Sequence, residues 1–219
     1  GASALTVAAW VKFNVTTGQR TILGKWDNPT IGSHGFLLDI GATSQLANFQ
    51  ARTGGSDRIV DGTTALQTGR WYHIAGTHGS GTNKVYVDGV LQASGAGADF
   101  NALSTDVLIG GNPNSPGAWY LNGTIDEAAI WNISLTPDKI AEHAGAKVLD
   151  YSQYKNNGTR FTNTSSDFGR NFTEGKFGKG LVFDGVNDYV NVTNPSSLRN
   201  NNFSIGFWIK PGTQDGAIK

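Results

Sequence analysis

The run of residues 71–91 constrains the fold of this chain more than any other part of the sequence. Residues 71–75 and 85–87 have the aromatic and β-branched composition of strands, and a turn-forming run of Gly, Ser, Thr and Asn separates them. Asp88 and Gly89 then form a strong two-residue hairpin signal before a returning strand. Because an isolated hairpin is only marginally stable in water, we expect the rest of the chain to supply a second sheet.

Composition supports a fold built from strands and excludes several classes of protein. Glycine accounts for 30 of the 219 residues and lies between short apolar runs, which favours an all-β fold. The 17 basic and 17 acidic residues cancel, so we expect no nucleic-acid partner. The chain has no cysteine for disulfides or thiol chemistry. We also expect no membrane span and no signal peptide.

Strand patterns continue on both sides of this central run. We predict strands at residues 4–13, 21–25, 35–40, 46–51, 58–61, 107–110 and 124–131. Residues 93–103 are rich in Gly and Ala, and we expect them to be irregular. Thr136 can cap a helix and Pro137 suits its first turn, so one short helix is predicted near residues 137–143.

Four motifs, in this order and spacing, resemble the laminin G-like members of the concanavalin A-like lectin/glucanase superfamily. They are Trp-x-His-Ile-Ala-x-Thr from Trp71, Val-Tyr-Val-Asp-Gly-Val-Leu from Val85, Leu-Ile-Gly-Gly from Leu108 and Gly-Thr-Ile-Asp-Glu-Ala-Ala-Ile-Trp from Gly123. The resemblance implies an all-β fold, a two-sheet antiparallel jelly-roll sandwich. It implies little about activity, because such sandwiches host unrelated functions.

The end of the chain repeats its beginning. Residues 204–210 repeat residues 6–12, and residues 181–192 resemble the opening strand of a laminin G-like domain, which in the family lies beside the closing strand. We therefore divide the chain into a body at 1–146 that lacks its opening strands, an opening segment at 147–200, and a duplicated strand at 201–219. The segment closes the body in cis or serves a neighbouring molecule, and the last part is surplus or starts a next repeat.

The sequence does not predict catalysis. Retaining glycoside hydrolysis needs two carboxylates about 5 Å apart. The paired acids Asp126 and Glu127 are adjacent on a predicted strand, so we expect them to point to opposite faces. No Ser-His-Asp arrangement or metal-spaced cluster stands out among the histidines, which are His34, His73, His78 and His143. We read His73 as structural.

Calcium is the cofactor that the resemblance implies. Laminin G-like and pentraxin-like relatives hold this ion with carboxylates and loop carbonyls, which are hard oxygen ligands. Asp126, Asp184 and Asp188 would converge if the opening and closing strands pair. The alternative is that the acidic residues near 184–188 belong to tight turns.

Two aromatic clusters are candidates for glycan recognition, because each places large rings beside amides or carboxylates in a predicted loop. They are Trp26 with Asp27 and Asn28, and Trp119 with Tyr120. The alternative is that these rings fill the core or cover a sheet edge. Four further tryptophans lie inside predicted strands, and we expect them in the core, namely Trp10, Trp71, Trp131 and Trp208.

Eight Asn-x-Ser/Thr triplets would be glycosylation sites in an exported protein, with their asparagines at Asn14, Asn122, Asn132, Asn157, Asn163, Asn171, Asn191 and Asn202. Their density favours a location outside the cell or on its surface, and the lack of disulfides favours a prokaryote. We therefore expect a non-catalytic module that recognises a glycan or a surface protein. The alternatives are a surface-fibre subunit that self-associates through exchanged strands, and a carbohydrate-binding module of a larger hydrolase.

Overall fold

The computed structural model describes residues 4–26, 35–51, 58–99, 106–111, 119–145, 147–148, 153, 156–161, 172–174, 176, 179–183, 188–192 and 206–212. In the body, the strands are β1 (Ala4–Phe13), β2 (Arg20–Lys25), β3 (Phe36–Ile40), β4 (Ala47–Ala51), β5 (Ile59–Asp61), β6 (Trp71–Gly79), β7 (Thr82–Val87), β8 (Val90–Ala96), β9 (Leu108–Ile109) and β10 (Gly123–Trp131). A single described helix, α1 (Pro137–His143), follows them.

Two five-stranded antiparallel sheets form the sandwich that the resemblance predicts. The first sheet has the order β10-β1-β6-β7-β8, and the second has the order β5-β4-β3-β2-β9. Their facing sides bury one apolar cluster that includes Val7 and Val11 of β1, Leu38 of β3 and Phe49 of β4. Side chains alternate between the faces of a strand, so every second residue of each central strand enters this core.

The hairpins explain why residues 71–96 form a compact meander. Ser80 and Gly81 have φ of 49° and 70°, and Asp88 and Gly89 have φ of 51° and 80°. Positive φ at both central residues is the signature of turns whose twist matches that of the flanking strands. Strand β8 continues to Ala96 through pairing with β7, so the expectation that the chain is irregular from residue 93 is wrong for residues 93–96.

Helix α1 begins and packs as its sequence predicts. Thr136 is the N-cap and its Oγ1 accepts a hydrogen bond of 3.4 Å from the Lys139 backbone N–H, while Pro137 occupies the first turn. Ile140 is buried in a second apolar cluster with Ala8, Ala75 and Tyr86. The helix therefore covers part of the outer face of the first sheet.

The described strands after α1 pair among themselves. β11 (Lys147–Val148), β12 (Gly158–Phe161) and β15 (Tyr189–Asn191) form one small sheet, and β13 (Phe172–Glu174) pairs with β14 (Lys179–Leu181). Among described residues none of them pairs with β10, which is the outermost strand of its sheet. The expected pairing of the opening and closing segments is therefore not found there, and the division of the chain into domains stays a prediction.

Two further observations concern the chain as a whole. No helix within the described ranges has the length and apolar character needed to cross a membrane. Trp208 is 73% exposed, so the expectation that it lies in the core is wrong. The described residues around it, 206–210, are outside any strand, so no sheet buries the indole.

Candidate functional site

A β-bulge in β10 shapes the outer face of the first sheet. Ala8 pairs with Ala129 and Trp10 pairs with Asp126, so Glu127 and Ala128 together oppose the single residue Ala9. Glu127 has φ of 49°, a left-handed conformation that is costly for a residue with a side chain. The bulge invalidates the regular alternation from which we expected Asp126 and Glu127 to point to opposite faces.

A groove of about 280 Å³ lies beside this bulge, where β1, β6, β10 and the end of α1 meet. Its lining residues are Ala8, Trp10, His73, Glu127, Ala128, Ala129, Trp131 and His143. Trp10 and Trp131 are half-buried, so the expectation that they lie in the core is wrong for Trp10, whereas Trp131 packs against the second apolar cluster. The register places Trp10 and Trp131 on the outer face, away from the space between the sheets.

Each indole of the groove contacts an imidazole. The ring centroids of Trp10 and His73 are 5.5 Å apart with an interplanar angle of 68°, an edge-to-face contact. Those of Trp131 and His143 are 4.9 Å apart and tilted by 46°. These contacts restrain both indoles while leaving each of them partly exposed.

His73 is held rigidly at the base of the groove. Its backbone N–H donates a 2.9 Å hydrogen bond to Oδ1 of Asp88, and Oδ2 of Asp88 accepts from Arg70 at 2.8 Å in a buried ion pair. The His73 side chain is nearly fully buried, at 3% exposure, and no described residue hydrogen-bonds its Nδ1. Burial, with a smaller contribution from the nearby His143 charge, lowers the pKa of His73 to about 3, so its ring is neutral at physiological pH.

The predicted glycan clusters are only partly available to a ligand. Trp26 is 5% exposed, so that part of the prediction is wrong, because a buried indole offers no face to a sugar. Asp27 and Asn28 lie outside the described residues. Trp119 is half-buried, and Tyr120 is 57% exposed beside the start of β2, where the Trp119 carbonyl accepts a 2.9 Å hydrogen bond from the Thr21 N–H.

The predicted metal residues are not seen together. Asp126 is exposed and its Oδ1 accepts a 2.8 Å hydrogen bond from the Glu127 N–H, so this carboxylate stabilises the bulge. Asp188 is half-buried near β15, and Asp184 lies outside the described residues. Where the structure is described, no group of three or more His, Cys, Asp or Glu side chains is arranged to hold a metal ion. Calcium stays a prediction.

Five of the predicted glycosylation asparagines are exposed, namely Asn14, Asn122, Asn132, Asn157 and Asn191. The other three, Asn163, Asn171 and Asn202, lie outside the described residues. Exposure is a requirement for modification but does not show that it occurs.

Unlike the aromatic groove, the outer face of the second sheet carries a row of polar side chains on successive strands. Thr21 pairs with Asp39, Asp39 with Asn48, and Asn48 with Asp61 on successive strands. Three oxygens of this row are buried and find no hydrogen-bond partner in the described part of the chain, namely Thr21 Oγ1, Asp39 Oδ1 and Asn48 Oδ1, while Asp39 Oδ2 accepts from Gln19. Burial, together with the Asp61 charge, raises the pKa of Asp39 to about 7.

This raised pKa predicts a specific pH dependence of stability. Asp39 keeps its proton to a higher pH in the folded chain than in the unfolded chain, where its ordinary value is 3.8, so stability falls as pH rises from about 4 to about 7. We expect Asp39→Asn to stabilise the chain by roughly 2 kcal/mol at pH 8.5 and to have little effect at pH 4. Thermal unfolding at both pH values measures this, with exposed Asp106→Asn as the control. An equal effect at both pH values would contradict the assignment.

The described body is a two-sheet antiparallel sandwich with an aromatic groove on the outer face of one sheet. The family profile of the concanavalin A-like lectin/glucanases superfamily, a laminin G type, matches residues 1–141. The chain therefore belongs to this laminin G-like family, which confirms the resemblance seen in the motifs. A comparison with curated proteins finds no match.

Solved structures with the same fold are carbohydrate-binding and lectin-like domains. A candidate carbohydrate binding protein from Bacteroides ovatus is 21% identical with a TM-score of 0.53, and the alignment covers 87% of this chain and 54% of that one. CBM40 of the Ruminococcus gnavus IT-sialidase, bound to α2,3-sialyllactose, is 17% identical with a TM-score of 0.55, covering 66% and 84%. The heptameric SAP-like pentraxin of Limulus polyphemus is 16% identical with a TM-score of 0.51, covering 66% and 71%.

Sequence reasoning missed the groove. His73 and Trp10 are direct cross-strand partners, but 62 residues that include four strands separate them in the sequence. The signal that could have found the site is that β1, β6 and β10 each contain a residue of the groove, namely Trp10, His73 and Glu127. The sequence alone does not give the register of β1, β6 and β10, so it does not show that these residues lie together.

Proposed function

We propose that this chain is a non-catalytic glycan-recognition module and that its groove holds one sugar ring. The observation that carries the proposal is that two half-buried indoles, Trp10 and Trp131, line one groove. Ligand sites are mostly apolar concavities with a few placed polar groups, and this groove has that composition.

Each group has a distinct role in the proposed complex. An indole face packs against the C–H bonds of a pyranose, which excludes water from both surfaces. His73 is 3% exposed, so it supports the Trp10 indole from below through its edge-to-face contact and leaves the sugar contacts to the indoles. Asp88 and Arg70 position His73 without contacting the ligand.

The test compares binding of three proteins to a printed glycan array. We expect wild type to bind and Trp131→Ala to lose about tenfold in apparent affinity, because a buried tryptophan contact commonly dominates binding. Trp71→Ala is the matched control, since Trp71 is also half-buried on the first sheet but contacts Lys12 instead of the groove. Equal retention of binding by both variants would place the ligand elsewhere.

A second variant tests the groove without the loss of packing that Trp131→Ala causes. Ala129→Leu adds volume to the groove without removing a contact, so it should block binding and leave the unfolding temperature nearly unchanged. If Ala129→Leu binds as wild type does, the groove is not the glycan site. The exposed side chain of Tyr120 then becomes the next candidate site.

We further propose that the module acts outside the cell, in adhesion or as part of a larger carbohydrate-active protein. Similar sandwiches include a sialidase module and a SAP-like pentraxin, and five of the predicted glycosylation asparagines are exposed. Array binding to plant or microbial polysaccharides would favour the hydrolase module, while binding to short host-type glycans would favour adhesion.

Strand-mediated self-association is a second candidate function, favoured by the edge of β10, which pairs with no strand beyond β1 among the described residues. This strand is outermost in its sheet, Ile130 on it is 43% exposed, and Ile133 just beyond it is 53% exposed. Such an edge is a template for an added strand. Light scattering over a concentration series should show polymers that Ile130→Lys abolishes, whereas a monomer at every concentration removes this candidate.

A further inference from the structure

We infer that the outer face of the second sheet carries a calcium site between Asp39 of β3 and Asn48 of β4. Each of the four neighbouring strands β2 to β5 places one polar side chain on that face. The site lies on the opposite sheet from the aromatic groove, so it is independent of the proposed glycan site. It also uses none of the acidic residues that the family resemblance implies for calcium.

Register brings the oxygen atoms of this polar row together. Thr21 and Asn48 are the direct cross-strand partners of Asp39 on its two sides, and residues in that relation have Cβ atoms about 5 Å apart. Asp39 and Asn48 can therefore both direct an oxygen at one ion between β3 and β4. Thr21 lies on the far side of Asp39, within reach of a water molecule bound to that ion.

Burial distinguishes this row from an ordinary polar surface. Thr21 and Asp39 are 0% exposed and Asn48 is 7% exposed, and one oxygen of each side chain finds no hydrogen-bond partner in the described part of the chain. Buried oxygens of this kind cost free energy and are normally paired with protein, water or an ion. Three of them on neighbouring strands point to one shared ligand.

The charge of Asp39 favours a cation as that ligand. Buried carboxylates in proteins are paired or coordinate a metal ion, because an isolated buried charge is very costly. Among the described residues, no Lys, Arg or His forms an ion pair with Asp39. Its Oδ2 accepts from the Gln19 amide, and the nearby charge is the negative one of Asp61. Burial raises the pKa of Asp39 to about 7, and a bound cation would restore the charged form.

The donor set selects calcium over other common ions. Carboxylate, amide and hydroxyl oxygens are hard ligands, and the row contains neither the imidazole nor the thiolate that zinc prefers. Calcium accepts roughly six to eight oxygens in flexible geometry, whereas magnesium requires a near-ideal octahedron. Because only Asp39 offers a carboxylate between the two strands and Asp61 adds charge from β5, we expect a weak site with a dissociation constant of about 10⁻⁴–10⁻³ M.

The test is a calcium titration of the full chain after treatment with EDTA, followed by calorimetry and by thermal unfolding at pH 8.5. We expect a binding signal, and a rise in unfolding temperature of about 3 °C or more at about 10 mM calcium, because a ligand of the folded state stabilises it. Absence of both signals would mean that water satisfies the buried oxygens, and it would overturn the inference. An equal rise with magnesium would indicate screening of surface charge and would overturn it too.

Asp39→Asn is the decisive variant, because it keeps the shape of the side chain and removes the charge. The raised pKa of Asp39 predicts that this variant is more stable than wild type in EDTA at pH 8.5, so loss of folding does not confuse the result. We expect its calcium affinity to fall at least about tenfold, and its unfolding temperature to become insensitive to calcium. Asn48→Leu removes the second oxygen and should weaken binding by a similar factor. Unchanged calcium affinity in Asp39→Asn would contradict the assignment.

Two control variants show where a bound ion lies. Asp106→Asn removes an exposed carboxylate outside the row and should leave calcium binding unchanged. Asp188→Asn removes one of the acidic residues that the resemblance implies for calcium. If Asp188→Asn abolishes the response while Asp39→Asn preserves it, calcium binds at the site predicted from the family motifs and the inference is wrong. If Asp39→Asn abolishes it and Asp188→Asn does not, the polar row holds the ion, whatever the glycan array shows.

Discussion

Replacing Gly76 by alanine is expected to destabilise the chain by about 3 kcal/mol, because the two sheets meet too closely there to admit a methyl group. A Cβ at this position would overlap the Phe49 ring and lie 2.8 Å from its Cε2. The ring is fully buried, so it has little room to rotate away. Urea unfolding should report a lower midpoint with an unchanged slope.

Gly206→Ala is the matched control for this substitution, because no other atom lies within 4 Å of a Cβ built there. The double variant Gly76→Ala with Phe49→Leu should be more stable than the sum of the single effects predicts, since the smaller side chain makes room for the methyl group. Strict additivity of the two substitutions would show that Gly76 and Phe49 are not in contact.

The second large effect is expected at the buried ion pair. Arg70→Met should cost about 3–5 kcal/mol, because it leaves the Asp88 carboxylate buried without its cation. Arg70 Nη2 and Asp88 Oδ2 are 2.8 Å apart, and both side chains are almost fully buried. The Arg70 guanidinium also lies 4.4 Å from the centre of the Tyr72 ring. Because Asp88 also accepts from the His73 N–H, sugar binding should weaken too.

Restoring charge balance should recover most of this loss. Asp88→Asn in the Arg70→Met background removes the unpaired charge and keeps a residue that favours the hairpin turn. Lys139→Ala is the control, since its 2.7 Å pair with Glu142 is exposed and should contribute less than about 1 kcal/mol. Thermal unfolding compares all four proteins. A small effect for Arg70→Met would mean that water reaches Asp88.

Local signals in the sequence predict much of this fold. Asp88 and Gly89 form the expected turn because their backbone preferences require no tertiary partner, and Thr136 and Pro137 begin the helix for the same reason. The family motifs extend that reading to the two-sheet sandwich. The predicted strands of the body match the observed ones to within a few residues.

The candidate site could not be predicted in the same way. Trp26 resembles an exposed loop residue in the sequence, but packing buries it, and only the folded chain shows this. Trp10 and Trp131 resemble core residues because they lie in apolar strands, yet the register turns them outward. The bulge at Glu127 determines which side chains line the groove. The residue types around Glu127 do not predict a positive φ.

The bulge has a further consequence for pairing at the edge of the first sheet. Among the described strands β10 is outermost, and the bulge divides it into residues 123–126 on one side and 129–131 on the other, each shorter than the five or six residues of a typical strand. A regular added strand therefore cannot pair along the whole of β10 unless it carries a matching irregularity. Strand exchange at this edge would be limited to one of two short segments, which sets the register of any such association.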